Sequence, residues 1–332
     1  MISWPKENAD DYIQEIVELH FGSDGSEYCN DLKSRFPNID FKKDIQTPED
    51  RIHLPIETDE LVRSNDFQYF IPRKILKENR ELYFGTSSGT NGPKKNIPWL
   101  KGTFNTMMDW FEWNFSFYKI DRSKDILSYG PSGLFQQAMN ALSERLNVRN
   151  FHVTNDDLGE LKKLFADESI REEIARLVYE RDLLPIIEKE EAVGNIISLG
   201  PIIYQIDPDT LPSYTSFFIG GFGVSQKEYE NLKVKYKGRT LKEFYGNIFW
   251  TWSFSPGQEG YLREFFPPYP YVMIDIMDSQ TGKMSSYDER GQVVGTRFTQ
   301  DMFFRWKERD SAYKIRPKDQ FTWNGVRNVG PL

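Results

Sequence analysis

The sequence is poor in the residues that build covalent and metal-held frameworks: its 332 residues include one cysteine, Cys29, and three histidines. A single thiol excludes an intrachain disulfide and a thiolate cluster for zinc or iron–sulfur, and fits a reducing, cytoplasmic setting. His20, His53 and His152 lie far apart, none with a partner at metal-ligand spacing, so each reads as structural and no metal site of protein side chains is expected. No apolar run approaches the ~20 residues of a membrane span, and the N-terminus lacks a basic segment followed by an apolar one. The net charge of −8 offers no general attraction to nucleic acid or anionic lipid. Neither is expected as a partner, and an anionic ligand has to be held by local groups.

Aromatic rings are plentiful. With 25 Phe, 17 Tyr and 8 Trp, much of the burial must come from rings rather than aliphatic chains. Ile13, Ile16, Val17 and His20 follow helical spacing behind a polar segment, which reads as a capped amphipathic helix. The charged, proline-containing stretch 37–55 reads as extended chain wrapped on a surface. From Leu82 onward, short apolar runs at 126–129, 195–199, 216–219 and 241–245 read as strands. Between them, 103–117, 134–146, 158–191 and 226–236 carry apolar residues at helical spacing. This alternation predicts an α/β sheet, with ligands at the carboxyl ends of strands where glycine-rich turns open toward helices. Beyond Pro267 the chain turns β-rich, with strands expected at 271–277 and 292–298 around a turn at 279–282.

Four segments carry chemistry. Tyr83-Phe-Gly-Thr-Ser-Ser-Gly-Thr-Asn-Gly-Pro-Lys-Lys95 sets glycines and hydroxyls directly after a strand-like stub. Glycines let backbone amides approach a polyphosphate, hydroxyls donate hydrogen bonds, and a lysine supplies charge. Ile219-Gly-Gly-Phe-Gly223 precedes a helix and then Phe244-Tyr-Gly-Asn-Ile-Phe249, and Phe303-Phe-Arg-Trp-Lys-Glu-Arg-Asp310 ends on a carboxylate. A carboxylate can accept both hydrogen bonds of a diol, although Asp310 could equally form a salt bridge with Arg305 or Arg309. Rings at Trp250, Trp252 and Phe254 alternate along one strand face, and Tyr129-Gly-Pro-Ser-Gly133 follows another strand. Ordinary core packing is the competing reading for these rings.

In this order, these segments resemble the adenylate-forming superfamily of acyl- and aryl-CoA ligases, luciferases and peptide-synthetase adenylation domains, and most of all phenylacetate-CoA ligase. The resemblance covers about two-thirds of the chain, from Leu82 to Asp310. It implies an α/β fold, the large N-terminal domain of the family with layered sheets and a β-rich C-terminal part. Residues 1–81 would be a lead-in packed on that domain, 82–318 the nucleotide- and acyl-binding domain, and 319–332, with Asp319, a hinge and the start of a small mobile domain that is absent from this sequence. It implies ATP held by Ser87, Ser88, Gly89, Thr90, Asn91, Gly92 and Lys95, with Lys95 and Thr90 acting in catalysis. Gly220, Gly221, Tyr245 and Gly246 would border adenine, Asp310 would take the ribose, and Arg316 would lie near ribose and phosphates. Tyr129, Gly130, Trp250 and Trp252 would border the acyl or aryl pocket. The family's Mg²⁺-holding glutamate is replaced by Phe249, so the Mg²⁺ ligand set is incomplete, and Glu259 in the next segment has no assigned role. The implied activity is conversion of a carboxylic acid to an acyl-adenylate with release of pyrophosphate, followed by transfer to a thiol such as CoA. A weakened nucleotide- or acyl-adenylate-binding protein, or a synthetase loading an acyl-accepting partner protein, are the alternatives that Phe249 and the missing domain leave open.

Overall fold

The computed structural model describes residues 4–5, 7–58, 60–86, 95–118, 120–221, 224–247, 251–256 and 263–331. The expected first helix spans Ala9–Phe21. It opens at Asn8, whose side chain accepts from the N–H groups of Asp10 and Asp11, and buries Ile13, Ile16, Val17 and His20. The stretch 37–55 is not simply extended. It contains the helix Phe41–Asp44 and a 3-10 turn Pro48–His53, because Thr47 and Asp50 form a reciprocal cap and Pro48 pre-sets the first turn.

His20 is fully buried. Its Nε2 lies 2.8 Å from the Thr299 carbonyl oxygen and Nδ1 3.5 Å from Ser26 Oγ, an environment for a neutral ring donating through Nε2. Burial lowers its pKa to about 4. A folded-state value below the unfolded ~6.5 means that the unfolded chain binds the extra proton, so this stability is present above about pH 6.5 and is lost as pH falls toward 4. Unfolding in urea at pH 5 and pH 7.5 is expected to differ by roughly 2 kcal/mol more in the wild type than in His20→Gln. An equal pH dependence in both proteins would show that the ring is not the titrating group.

Strands β1 (Leu82–Thr86) and β2 (Asn96–Leu100) form an antiparallel hairpin. The main sheet contains β3 (Asp125–Gly130), β4 (Asn150–Thr154), β5 (Val193–Ser198), β6 (Ser216–Ile219), β7 (Leu241–Asn247) and β8 (Thr251–Phe254), in the order β4-β3-β5-β6-β7-β8. Its first five strands are parallel and β8 turns back antiparallel on β7. Because side chains alternate along a strand, the sheet feeds two cores. Ile126, Ile197, Phe218 and Phe244 join the helix Lys101–Phe115 on one side, while Leu127, Ile196, Phe217 and Ile219 meet Leu161 and Phe165 on the other. The expected 158–191 helix is broken. It runs as Leu158–Ala166, Arg171–Val178, a π turn Tyr179–Leu183 and Leu184–Lys189, with Asp167 capping its own turn through Ser169 and Pro185 opening the last piece.

A second, antiparallel sheet contains β9 (Glu264–Phe265), β10 (Val272–Met277), β11 (Arg290–Thr299), β12 (Met302–Ile315) and β13 (Gly325–Pro331), ordered β10-β11-β12-β13-β9. The hairpin read around 279–282 is present: Asp275 pairs with Val294, and the Asp278 carboxylate accepts from the N–H groups of Gln280 and Thr281 at 3.0 and 2.6 Å. β13, inside the segment expected as a hinge, is hydrogen-bonded to both β12 and β9. No helix among the described residues is long and apolar enough to cross a membrane.

Candidate functional site

The chain leaves β3 for β4 on one side and returns to β5 on the other, so the strand order reverses beside β3. Loops diverge at such a point and leave a crevice outside the carboxyl ends of the strands. A cavity of about 160 Å³ opens there. Tyr129 and Gly130 border it from β3, Ser198 and Leu199 from the end of β5, Gly220 and Gly221 after β6, and Gly246 from β7. Its floor is apolar: Phe104, Met107 and Met108 come from the helix Lys101–Phe115, and Phe135 and Ala138 from Leu134–Leu146. Trp252 on β8 closes one wall, its ring edge-on to Phe111 at 4.6 Å and its carbonyl accepting from Trp110 Nε1 at 2.8 Å.

The Ser/Thr/Gly-rich segment connects β1 to β2. The two strands that flank it pair antiparallel with each other in a separate two-stranded sheet, and neither belongs to the main sheet. Ser87, Ser88, Gly89, Thr90, Asn91 and Gly92 lie outside the described residues. Thr86 Oγ1 donates to Asn96 Oδ1 at 3.0 Å across the base of the hairpin, and Gly85 and Thr86 border the cavity. Lys95 is half-buried at that base.

Gly220 and Gly221 meet separate requirements. A Cβ on Gly220 would sit 2.0 Å from the Phe244 ring, and Gly221 has φ +78°, a conformation that side chains disfavour. On the next strand, Tyr245 donates its phenol proton to Asp310 Oδ2 at 2.9 Å. This contact joins β7 of the main sheet to β12 of the second sheet, over 65 positions of sequence. Burial raises the Asp310 pKa, opposed by the Tyr245 hydrogen bond and by the charge of Lys162. Lys162 is half-buried on the helix Leu158–Ala166, and burial lowers its pKa against the opposing attraction of Asp310.

The salt bridge considered for Asp310 is not formed. Arg305 points to Asp275 at 3.4 Å, and Arg309 is exposed. Arg316 is exposed with its guanidinium 4.2 Å from the centre of the Tyr287 ring, a partner outside the Tyr245–Asp310 group. Phe254 does not border the cavity. It is fully buried against Phe111 and Trp110 on the same strand face as Trp252, one step deeper in the core. Phe249, Trp250 and Glu259 lie outside the described residues. Glu243, behind Gly220, is held by two bonds from Arg263 at 2.7 and 2.8 Å, which anchors β7 against the second sheet.

Sequence reasoning missed Lys162 and the floor of the cavity. Met107 and Met108 have the helical spacing of any core helix, and Lys162 stands in the run Leu161-Lys-Lys-Leu164 with no mark separating it from Lys163, which pairs with Glu160 on the surface. The one available signal is that Lys162 lies a full turn after an apolar residue, Leu158, on an otherwise apolar stripe. Among the described residues no group of three or more His, Cys, Asp or Glu could hold a metal ion.

The fold, with its crevice at the switch point, is one that adenylate-forming enzymes share. The chain is similar to 2-hydroxyisobutyryl-CoA ligase in an open conformation in complex with 2-HIB-AMP and CoA, at a TM-score of 0.68 and 9% identity over 97% of this chain and 68% of that one. The same ligase in its thioester-forming state, also with 2-HIB-AMP and CoA, matches at a TM-score of 0.68 and 11% identity, over 97% of this chain and 67% of that one. No family model and no curated protein matches the sequence. At this level of identity the likeness is one of fold.

Proposed function

We propose that this chain binds ATP and uses it to activate a carboxylic acid, with residues 82–318 as the nucleotide- and acyl-binding domain and 1–81 as its packed lead-in. The observation carrying this reading is the hydrogen bond from the Tyr245 phenol to the desolvated Asp310 carboxylate, Tyr245 being the residue before Gly246, which borders an apolar cavity at the carboxyl ends of parallel strands. A carboxylate so placed accepts from the two ribose hydroxyls, and Gly220 and Gly221 leave backbone exposed where a flat base can approach. The segment 87–92 with Thr90 and Lys95 would hold the phosphates, supported by the position of its base at the cavity. Tyr129, Gly130, Trp250 and Trp252 would border the acyl group.

In the reaction, a carboxylate oxygen of the substrate attacks the α-phosphorus, and the bond from that phosphorus to the bridging oxygen breaks. Pyrophosphate leaves with the electron pair, and the product is a mixed acyl–phosphate anhydride. Lysine and backbone N–H groups aimed at the phosphates would stabilise the charge that develops there. Transfer to CoA or to another thiol, including one on an acyl-accepting protein, would follow by attack of sulfur on the acyl carbon with AMP leaving. Mg²⁺ commonly accompanies ATP, but no carboxylate cluster among the described residues supports a site for it, and Phe249 offers no oxygen ligand.

The test is carboxylate-dependent exchange of labelled pyrophosphate into ATP, across aromatic, branched and straight-chain acids. Exchange with at least one acid is expected, and nucleotide binding without any exchange would favour a binding protein instead. Ala138 faces the cavity floor and is fully buried. Ala138→Leu is expected to reduce exchange with aromatic acids at least tenfold while sparing two- and three-carbon acids, since one or two methylenes in a pocket are worth about 1–3 kcal/mol. An equal fall for all acids would place the acyl group elsewhere.

A further inference from the structure

Lys162 lies on the helix Leu158–Ala166, whose orientation is fixed by Leu161 and Phe165 buried against the main sheet. Leu158, one turn earlier on the same face, borders the cavity. The next residue, Lys163, is exposed and paired with Glu160, as surface lysines commonly are. Lys162 differs in both respects: it is half-buried and makes no hydrogen bond or ion pair with any other described residue. Among the described residues the charge that acts on it is that of Asp310, whose carboxylate is already engaged by Tyr245. An ammonium withdrawn from water and left without a contact partner is unfavourable unless a counter-anion completes its surroundings.

We propose that Lys162, in addition to the 87–95 segment, takes a phosphate oxygen of the bound nucleotide, completing with Asp310 and Tyr245 a group that grips the ribose and its 5′-phosphate together. This rests on the nucleotide reading above. Leu158, one turn before Lys162 on the same helix face, borders the cavity together with Gly130, Gly220 and Gly246, so the half-buried lysine stands on the helix face turned toward the space where the nucleotide would lie. The flexible stem of lysine and its three N–H donors suit a single tetrahedral anion. Its lowered pKa follows from the same burial and makes the phosphate grip sensitive to alkaline pH. The charge of a phosphate would offset the desolvation of the half-buried ammonium.

The experiment is calorimetric titration of the full chain with adenosine and with AMP, for wild type, Lys162→Met and Lys162→Arg, beside thermal unfolding of each. Wild type is expected to bind AMP more tightly than adenosine. Lys162→Met is expected to weaken AMP at least tenfold and adenosine less than twofold, with Lys162→Arg recovering most of the loss. Raising the pH toward the lysine's lowered pKa should erode the AMP advantage in wild type and leave Lys162→Met flat. Equal weakening of AMP and adenosine with a lower melting temperature would overturn the assignment in favour of a structural role. A defect confined to binding of the carboxylic acid would overturn it in favour of a substrate contact. If wild type binds both ligands and Lys162→Met keeps their ratio, the lysine assignment alone fails, whereas a wild type that binds neither overturns the nucleotide reading and this assignment with it.

Discussion

Asp275→Ala is expected to destabilise the folded chain by about 3–5 kcal/mol, the cost of removing one partner from a buried charge cluster. Asp275 on β10 is 1% exposed and accepts from Arg51 through both oxygens, at 2.9 Å from Nε and 2.6 Å from Nη2. Arg305 on β12 approaches the same carboxylate at 3.4 Å and donates to the Leu54 carbonyl at 3.1 Å. Removing the carboxylate leaves two buried guanidinium groups facing each other with no anion between them. Urea unfolding at neutral pH should show the midpoint falling with little change in slope. A loss below about 1 kcal/mol would mean that the arginines reach water and that the cluster is not closed. The effect should extend to the candidate site, because the strap carrying Arg51 continues to Glu57, which bonds to the backbone of Arg305 and Lys307 on the strand that presents Asp310.

Asp310→Ala is expected to weaken adenosine and AMP alike by at least about a hundredfold, since each hydrogen bond to a charged acceptor is worth about 1.5–3 kcal/mol and a ribose diol would make two. Unlike the lysine variant, it should not change the ratio of AMP to adenosine. The more specific readout is sugar preference: wild type should favour adenosine over 2′-deoxyadenosine and Asp310→Ala should not. Tyr245→Phe serves as the companion. It removes the phenol bond but keeps the carboxylate, so a fall of up to about tenfold with sugar preference retained is expected. If Asp310→Ala lowers affinity for both nucleosides equally, the carboxylate braces the two sheets and does not meet the ribose.

Much of the fold was readable because its signals are local. Apolar runs at 126–129, 195–199, 216–219 and 241–245 fall on β3, β5, β6 and β7, and the helices near 134–146 and 226–236 carry plain 3.6-residue spacing and, for the latter, a Ser225–Glu228 cap. The strand Asn150–Thr154 was missed because it is an edge strand, half-exposed, with polar residues at Asn150 and His152 diluting its pattern. The long strand β12 was missed for a similar reason: charges at Lys307, Glu308 and Arg309 interrupt it where it leaves the core. In the 37–55 stretch, composition suggested an extended wrap, but the Thr47–Asp50 cap closes a helical turn that composition does not register.

The residues themselves determined the alternating α/β pattern, the aromatic core and the short-range chemistry of glycine, tyrosine and carboxylate at Gly220, Gly221, Tyr245 and Asp310. These depend on spacing within a few positions and on intrinsic backbone preferences. Only the tertiary structure decided that Tyr245 meets Asp310, that Arg305 turns to Asp275 instead, that Phe254 belongs to the core while Trp252 borders the cavity, and that Lys162 is half-buried while Lys163 beside it is exposed. Each of these depends on how different layers of the fold pack, where sheet order and strand facing set the distances and the local sequence carries no record of them.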